Sequence, residues 1–361
     1  MAALHREAVG AGGKPRLGAL ERRELLGEVL GEARVELALV EVLGFLIAGF
    51  VPGVDGFGIL LCERGNRELD ALPLACKQLT RSIGIHEGKS TLTRADAVSS
   101  LTQGMPSTMK RFKTWDGIEI AYREWGPATA SPPVVLHHGF VVDAETNWLA
   151  TGVIDALRTA GRRVIAPDAR GHGSSDKPHD PARYGEPNMA RDLTVLFDTI
   201  GSERVDLVGY SMGAVVALIF ASSDGRVRRL VVGGVGSGVV ECGGVDRRSV
   251  SNESIIRALS ADDPSGVEEP EARSFRALAD AVGADRRALV AQARSVYKGG
   301  VALERISART LVLAGDEDPL AVRPETLANA IPHATLRTLH GDHVGAIADP
   351  GFTRSIVDFL A

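Results

Sequence analysis

From residue 111 onward, apolar and polar positions come in short bursts whose period switches repeatedly between that of a strand and that of a helix. RFKTWDGIEIAYREWG (111–126) reads as two strands folded about Asp116-Gly117, because an Asp-Gly pair between apolar runs favours a tight hairpin. PPVVLHHG (132–139) is an unbroken apolar run of strand length, as a strand buried on both faces requires. A helix is expected between Thr146 and Ala160, then a strand over RRVIAPD (162–168). Pro187 to Ile200 predicts a helix that opens on a proline and gathers Met189, Leu193, Leu196 and Phe197 on one side. RRLVVGGVG (228–236), RTLVLAGDE (309–317) and ATLRTLHG (334–341) predict three further strands, with helices starting at Pro324 and Asp349. Strands alternating with helices after an antiparallel start imply an α/β fold, a mostly parallel sheet with helices on both faces. In such sheets the ligand sits beyond the carboxyl ends of the strands.

One stretch changes period within a few residues. In VDLVGYSMGAVVAL (205–218), Val205 to Val208 suit a buried strand and Ala214 to Phe220 suit a helix. Gly209-Tyr210-Ser211-Met212-Gly213 stands between them, and a chain folded sharply there needs residues without bulk on either side of the bend. Either this is a tight turn that happens to hold a serine, or a strained turn that presents a hydroxyl for chemistry.

The interval 237–308 is too long for a simple connection. It carries helix-like pieces at Glu253–Leu259, Glu271–Ala281 and Asp285–Tyr297, split by SADDPSGVEEP. A small helical lid over the strand ends is the expected use. Its apolar residues, Ile255, Leu259, Phe275 and Leu289 among them, would both pack the lid and wall a pocket.

Upstream of about residue 105 the order disappears. Leu20 to Phe50 has the composition of a helix, and SSLTQGMPSTMK (99–110) that of a linker, so residues 1–104 read as an N-terminal extension to a domain over 105–361. The run VLGFLIAGFVPGV (42–54) is shorter than the roughly 20 apolar residues that span a bilayer, and Pro52 interrupts it, so no membrane span is expected. With 361 residues, 44% hydrophobic and 24% charged, the composition is that of an ordinary globular chain. The net charge of −5 is well mixed, which removes the electrostatic case for a nucleic-acid partner. Cys62, Cys76 and Cys242 are too sparse for a disulfide framework or a metal pattern and suit a reducing, cytoplasmic compartment. The first residues lack the basic-then-apolar order of a secretory signal.

A serine hydroxyl is a poor nucleophile at neutral pH and needs a base, which in turn needs an orienting acid. The chain places Asp316 and Asp318 after the strand LVLAG, and His340 and His343 after the last strand. Serine, aspartate, histidine is the order of an α/β hydrolase. Five features in sequence then carry a resemblance: VVLHHGF (134–140), PDARGHGSSDKP (167–178), GYSMGA (209–214), LVLAGDEDPLAVRP (311–324) and HGDHVGAIADP (340–350). Residues from about 110 to 361 resemble the α/β-hydrolase fold superfamily, with GxSxG as its nucleophile elbow.

The resemblance implies roles. Ser211 would be the nucleophile and His343 the general base, since the family's histidine follows a glycine-containing turn; His340 is the competitor. The acid would be Asp318, three residues past the glycine of LVLAG, with Asp316 the structural alternative and Asp342 badly placed to reach the ring. The oxyanion would be met by the backbone N–H groups of Met212, at the start of a helix, and Phe140, in the loop after His138-Gly139. His137 would be unremarkable, and the DARGHGSSD loop structural, with no catalytic part for His172. No cofactor or metal is implied. The expected reaction is hydrolysis of an ester-type carbonyl in a small, largely apolar substrate through an acyl-serine. Carbon–carbon bond hydrolysis, cofactor-free perhydrolysis and ligand sensing are the alternatives. An aspartate-nucleophile reaction such as epoxide hydrolysis is disfavoured by the serine at 211.

Overall fold

The computed structural model describes residues 107–361 apart from 129–130 and 264–265, so the extension over 1–104, with its expected helix and apolar run, lies outside the described residues. Two strands, β1 (Thr108–Lys113) and β2 (Glu119–Trp125), form the expected antiparallel hairpin with Phe112 opposite Ile120. Its turn is closed locally: Thr114 Oγ1 donates to Asp116 Oδ1 at 2.6 Å, and the Gly117 N–H to the Thr114 carbonyl at 3.0 Å. Six strands follow: β3 (Val134–His137), β4 (Val164–Pro167), β5 (Val205–Tyr210), β6 (Val227–Gly233), β7 (Arg309–Gly315) and β8 (Ala334–Leu339). They complete an eight-stranded sheet in the order β1-β2-β4-β3-β5-β6-β7-β8. Pairing is antiparallel from β1 to β4 and parallel from β4 to β8. The fold is that of an α/β hydrolase.

Alternation along the central strands divides the core in two. Val135, Leu207, Val232 and Val312 point to one face, where α2 (Glu186–Thr199) and α3 (Met212–Ala221) add Leu196, Phe197, Val215 and Phe220. Leu136, Val208, Val231 and Leu313 point to the other, under α1 (Val153–Thr159) and the last helix (Pro350–Leu360), which add Ile154, Leu157, Phe352 and Ile356. A period of two along each strand makes this division unavoidable once helices cover both faces.

Among the described residues, the interval 237–308 holds four α-helices, α4 (Ser237–Cys242), α5 (Asn252–Ser260), α6 (Pro270–Val282) and α7 (Arg286–Ala293), and a short 3-10 turn over Leu303–Arg305. The first was not expected from the pattern. The expected helix to Tyr297 stops at Ala293. A third apolar cluster joins Ile255, Leu259, Ala272 and Leu289 of this insertion to Val141 and Leu320 of the body.

Candidate active site

Ser211 stands between β5 and α3 at φ 54° and ψ −116°, in the left-handed half of backbone space that a side-chain-bearing residue rarely occupies. Its N–H is tied to the Gly233 carbonyl at 2.8 Å. A Cβ at Gly209 would lie 2.2 Å from the Gly213 carbonyl oxygen, and one at Gly213 would lie 2.1 Å from that of His137. Both glycines are therefore required by contact between backbones, and the spacing around the serine follows from sterics.

The next two groups come from the ends of β7 and β8, which lie beyond β6 in the parallel part of the sheet. Asp318 lies just beyond β7 with its side chain fully buried; Oδ1 accepts the Leu320 N–H at 2.8 Å. Beyond β8 the loop brings in His343, whose Nδ1 is 2.8 Å from Asp318 Oδ2 and whose Nε2 is 2.9 Å from Ser211 Oγ. A carboxylate cannot donate, so Nδ1 carries the hydrogen and Nε2 is left to accept from the serine hydroxyl. This arrangement can draw a proton from the hydroxyl as it attacks and return it to a leaving group. The Met212 N–H opens α3, where no intrahelical acceptor exists and the helix dipole favours negative charge. The loop after β3 carries Phe140, and the Gly139 N–H just before it is held by Asn147 Oδ1 at 2.8 Å.

Residues 132–237 match a family model described as alpha/beta hydrolase fold. The RutD protein of Variovorax paradoxus, named for carbamate hydrolysis, is 31% identical over 239 residues, which make up 58% of this chain and 85% of the relative. This chain belongs to the α/β-hydrolase fold family. A hydrolase of Pseudomonas aeruginosa has the same fold in its crystal structure, with a TM-score of 0.58 and 27% identity over 70% of this chain and 98% of its own. The 2-hydroxy-6-oxo-2,4-heptadienoate hydrolase of Pseudomonas putida is 41% identical over 121 residues, 33% of this chain and 41% of the relative. The chain spans only 34 to 42% of the length of the first curated relatives it matches, an epoxide hydrolase among them.

In this α/β hydrolase the competing candidates are occupied elsewhere. Asp316 accepts the Gly341 N–H at 2.8 Å and lies 3.4 Å from His340 Nδ1, at the surface. Those bonds hold its carboxyl below the usual range and raise the His340 imidazole. Asp342 caps the chain, with Oδ1 accepting from the Val344 and Gly345 N–H groups at 3.0 and 2.7 Å. His137 is buried, with its imidazole pushed down to about 3 by desolvation and the neighbouring His138.

Two supporting residues escaped the sequence reading. The Tyr210 hydroxyl donates to the His343 carbonyl at 2.5 Å, and burial and then Asp318 and Asp342 push it well above its ordinary value, so it remains a donor. It is the variable residue inside Gly-x-Ser, a position the motif leaves without a meaning. Asn147 lies in a wide helical turn over Glu145–Leu149, where the pattern predicts plain helix. A separate cleft of about 510 Å³, walled by Leu259, Arg287, Val290 and Arg294, shares none of these residues. Among the described residues, no helix is long and apolar enough to cross a membrane.

Proposed function

We propose that this α/β hydrolase is a serine hydrolase that cleaves an ester-type carbonyl through an acyl-serine intermediate. Ser211 Oγ attacks the carbonyl carbon while His343 Nε2 takes its proton, and the N–H groups of Met212 and Phe140 meet the negative oxygen. Collapse expels the alcohol, which leaves with the proton from His343. A water then loses a proton to the same nitrogen, attacks the acyl carbon, and releases a carboxylic acid as the proton returns to Oγ. Asp318 keeps the ring in the tautomer that accepts, and stabilises its charged form.

The observation that carries this reading is the unbroken run Asp318–His343–Ser211 at 2.8 and 2.9 Å, ending on a serine held at φ 54°. The helical insertion over 237–308 acts in it as a lid. Phe275 of the insertion approaches Phe140 with ring centroids 6.1 Å apart, which supports a small, largely apolar substrate. The test is labelling of the chain with a fluorophosphonate, then turnover of acyl esters of graded length. Ser211→Ala is expected to lose both; ester hydrolysis at the parent's rate in that variant would assign the nucleophile elsewhere.

A second reading is favoured by the 41% identity to the heptadienoate hydrolase. On the same three residues, the bond broken would be carbon–carbon. A panel of 2-hydroxy-6-oxo-dienoates against simple esters separates the two readings by kcat/KM.

A further inference from the structure

Two buried histidines behind Phe140 take no part in the proton transfers above. His138 ends the segment after β3, and His172 lies in the loop after β4; their ring centroids are 5.0 Å apart, edge to face. His138 Nδ1 is 2.7 Å from the Gly139 carbonyl oxygen, so it carries the hydrogen and donates. Its Nε2 is then bare and accepts the Ala169 N–H, from the loop of His172, at 2.8 Å. His172 repeats the arrangement in reverse. Its Nδ1 donates to the Arg170 carbonyl at 3.1 Å, and its Nε2 accepts the Val141 N–H, from the loop of His138, at 3.3 Å.

These bonds fall on the two peptide units that flank Phe140. The carbonyl of Gly139 and the N–H of Phe140 belong to one rigid plane and point opposite ways. His138, by holding that carbonyl, faces the Phe140 N–H away from the pair of rings. The following plane is held through the Val141 N–H, and Val141 itself sits at φ 77°, a conformation costly for a β-branched residue. The far end of the clamp is firm. Arg170, fully buried, is gripped by Asp192 at 2.6 and 2.7 Å and by Asp116 at 3.0 and 3.1 Å.

We propose that His172 is a positioning residue: with His138 it clamps both peptide planes beside Phe140 and so aims the Phe140 N–H at the oxyanion. This rests on the acyl-serine reading, with Phe140 as one of its two donors. The clamp works only while both Nε2 atoms are bare. Burial lowers both imidazoles, and for His172 the neighbouring His138, His137 and Lys177 add to the effect.

The experiment compares the full chain with His172→Phe, His172→Gln and His172→Asn on p-nitrophenyl butyrate, after folding is checked by melting. The phenylalanine keeps a ring against Phe140 but offers no acceptor. The glutamine oxygen reaches where Nε2 stands; the asparagine oxygen stops at Nδ1. We expect kcat to fall about 10- to 100-fold in His172→Phe with KM within twofold, as for a misaimed oxyanion donor. His172→Gln should recover most of that loss and His172→Asn little. A kcat within twofold of the parent in His172→Phe overturns the proposal, as does equal kcat in the glutamine and asparagine variants, which decides the matter if the phenylalanine variant does not fold. A parent that neither reacts with a fluorophosphonate nor turns over the ester overturns the acyl-serine reading itself, and the clamp's role with it.

Discussion

Ser211 owes its rare backbone conformation to contacts that its neighbours enforce. A methyl at Gly213 would press on the His137 carbonyl, and the strand, the elbow and α3 would have to separate to admit it. Gly213→Ala is therefore expected to cost about 1–3 kcal/mol of stability, read by denaturant titration, and to lower ester turnover along with it. In the proposed reaction Asp318 acts through the imidazole. Asp318→Asn leaves the shape but favours the wrong tautomer of His343, so kcat should fall by about 10³- to 10⁴-fold with the fold intact; a loss below tenfold would give the orienting part to another residue. The first glycine of Gly-x-Ser-x-Gly was legible from a local cause, since a Cβ at Gly209 would strike the Gly213 carbonyl four residues on; the second is required by the His137 carbonyl of β3, a contact that the sheet brings about. The choice of His343 over His340 was not local. It depends on how far the loop after β8 reaches back over the serine, and on Tyr210, whose hydroxyl holds the His343 carbonyl from the strand below.

At the scale of elements, the pattern found every strand of the sheet and missed the places where tertiary contacts end a helix. The helix expected over 146–160 is two pieces, a wide turn over Glu145–Leu149 and α1, separated by Gly152 at φ 78°. The first piece carries Asn147, whose Oδ1 accepts the Gly139 N–H, an interaction that no periodicity encodes. Helix α7 stops at Ala293, and beyond it the Tyr297 N–H donates to the buried Glu186 carboxylate at 2.7 Å. At the amino end of the sheet, Asp206 on β5 is fully buried and pairs with Arg228 at 2.6 and 2.8 Å and with Arg162. Removing the carboxylate leaves Arg162 buried without its counter-charge. Asp206→Ala should cost about 3–5 kcal/mol, measured by chemical denaturation, without shifting the pH dependence of turnover.

Across the whole molecule, buried neutral histidines set a limit on acid stability. Burial pushes His137 down to about 3 and lowers His138 and His172, all of which would protonate near 6.5 when unfolded. Below about pH 6.5 the unfolded chain therefore binds more protons than the folded one, and stability falls with pH by up to roughly 1.4 kcal/mol per unit for each ring. Asp192, raised to about 6 by burial against the pull of Arg170, and Glu186, also raised by burial, act the other way: their contribution is fully present near pH 4 and is lost as pH rises through their folded values. Among the described residues, these three buried rings against the two buried carboxyls leave a net loss. The denaturation midpoint should drop between pH 7 and pH 5, and a flat profile over that range would mean that the rings are protonated or exposed in the fold.

Chain periodicity alone determined the alternation of strands and helices, and the glycines at 209 and 213 determined that a serine would stand at a bend. Side-chain direction along the chain and the contact between Gly209 and Gly213 are short-range effects; the closeness of Gly213 to the His137 carbonyl belongs to the sheet. The tertiary structure decided which aspartate and which histidine meet that serine. Their strands lie on one side of β5, beyond β6, in the parallel order β5-β6-β7-β8, which carries the ends of β7 and β8 to the rim where the serine stands. It also decided the exchange of backbone bonds between His138 and His172, because β3 and β4 must first pair before either loop can reach the other. Sequence neighbours cannot announce such a meeting; only the register of the sheet brings it about.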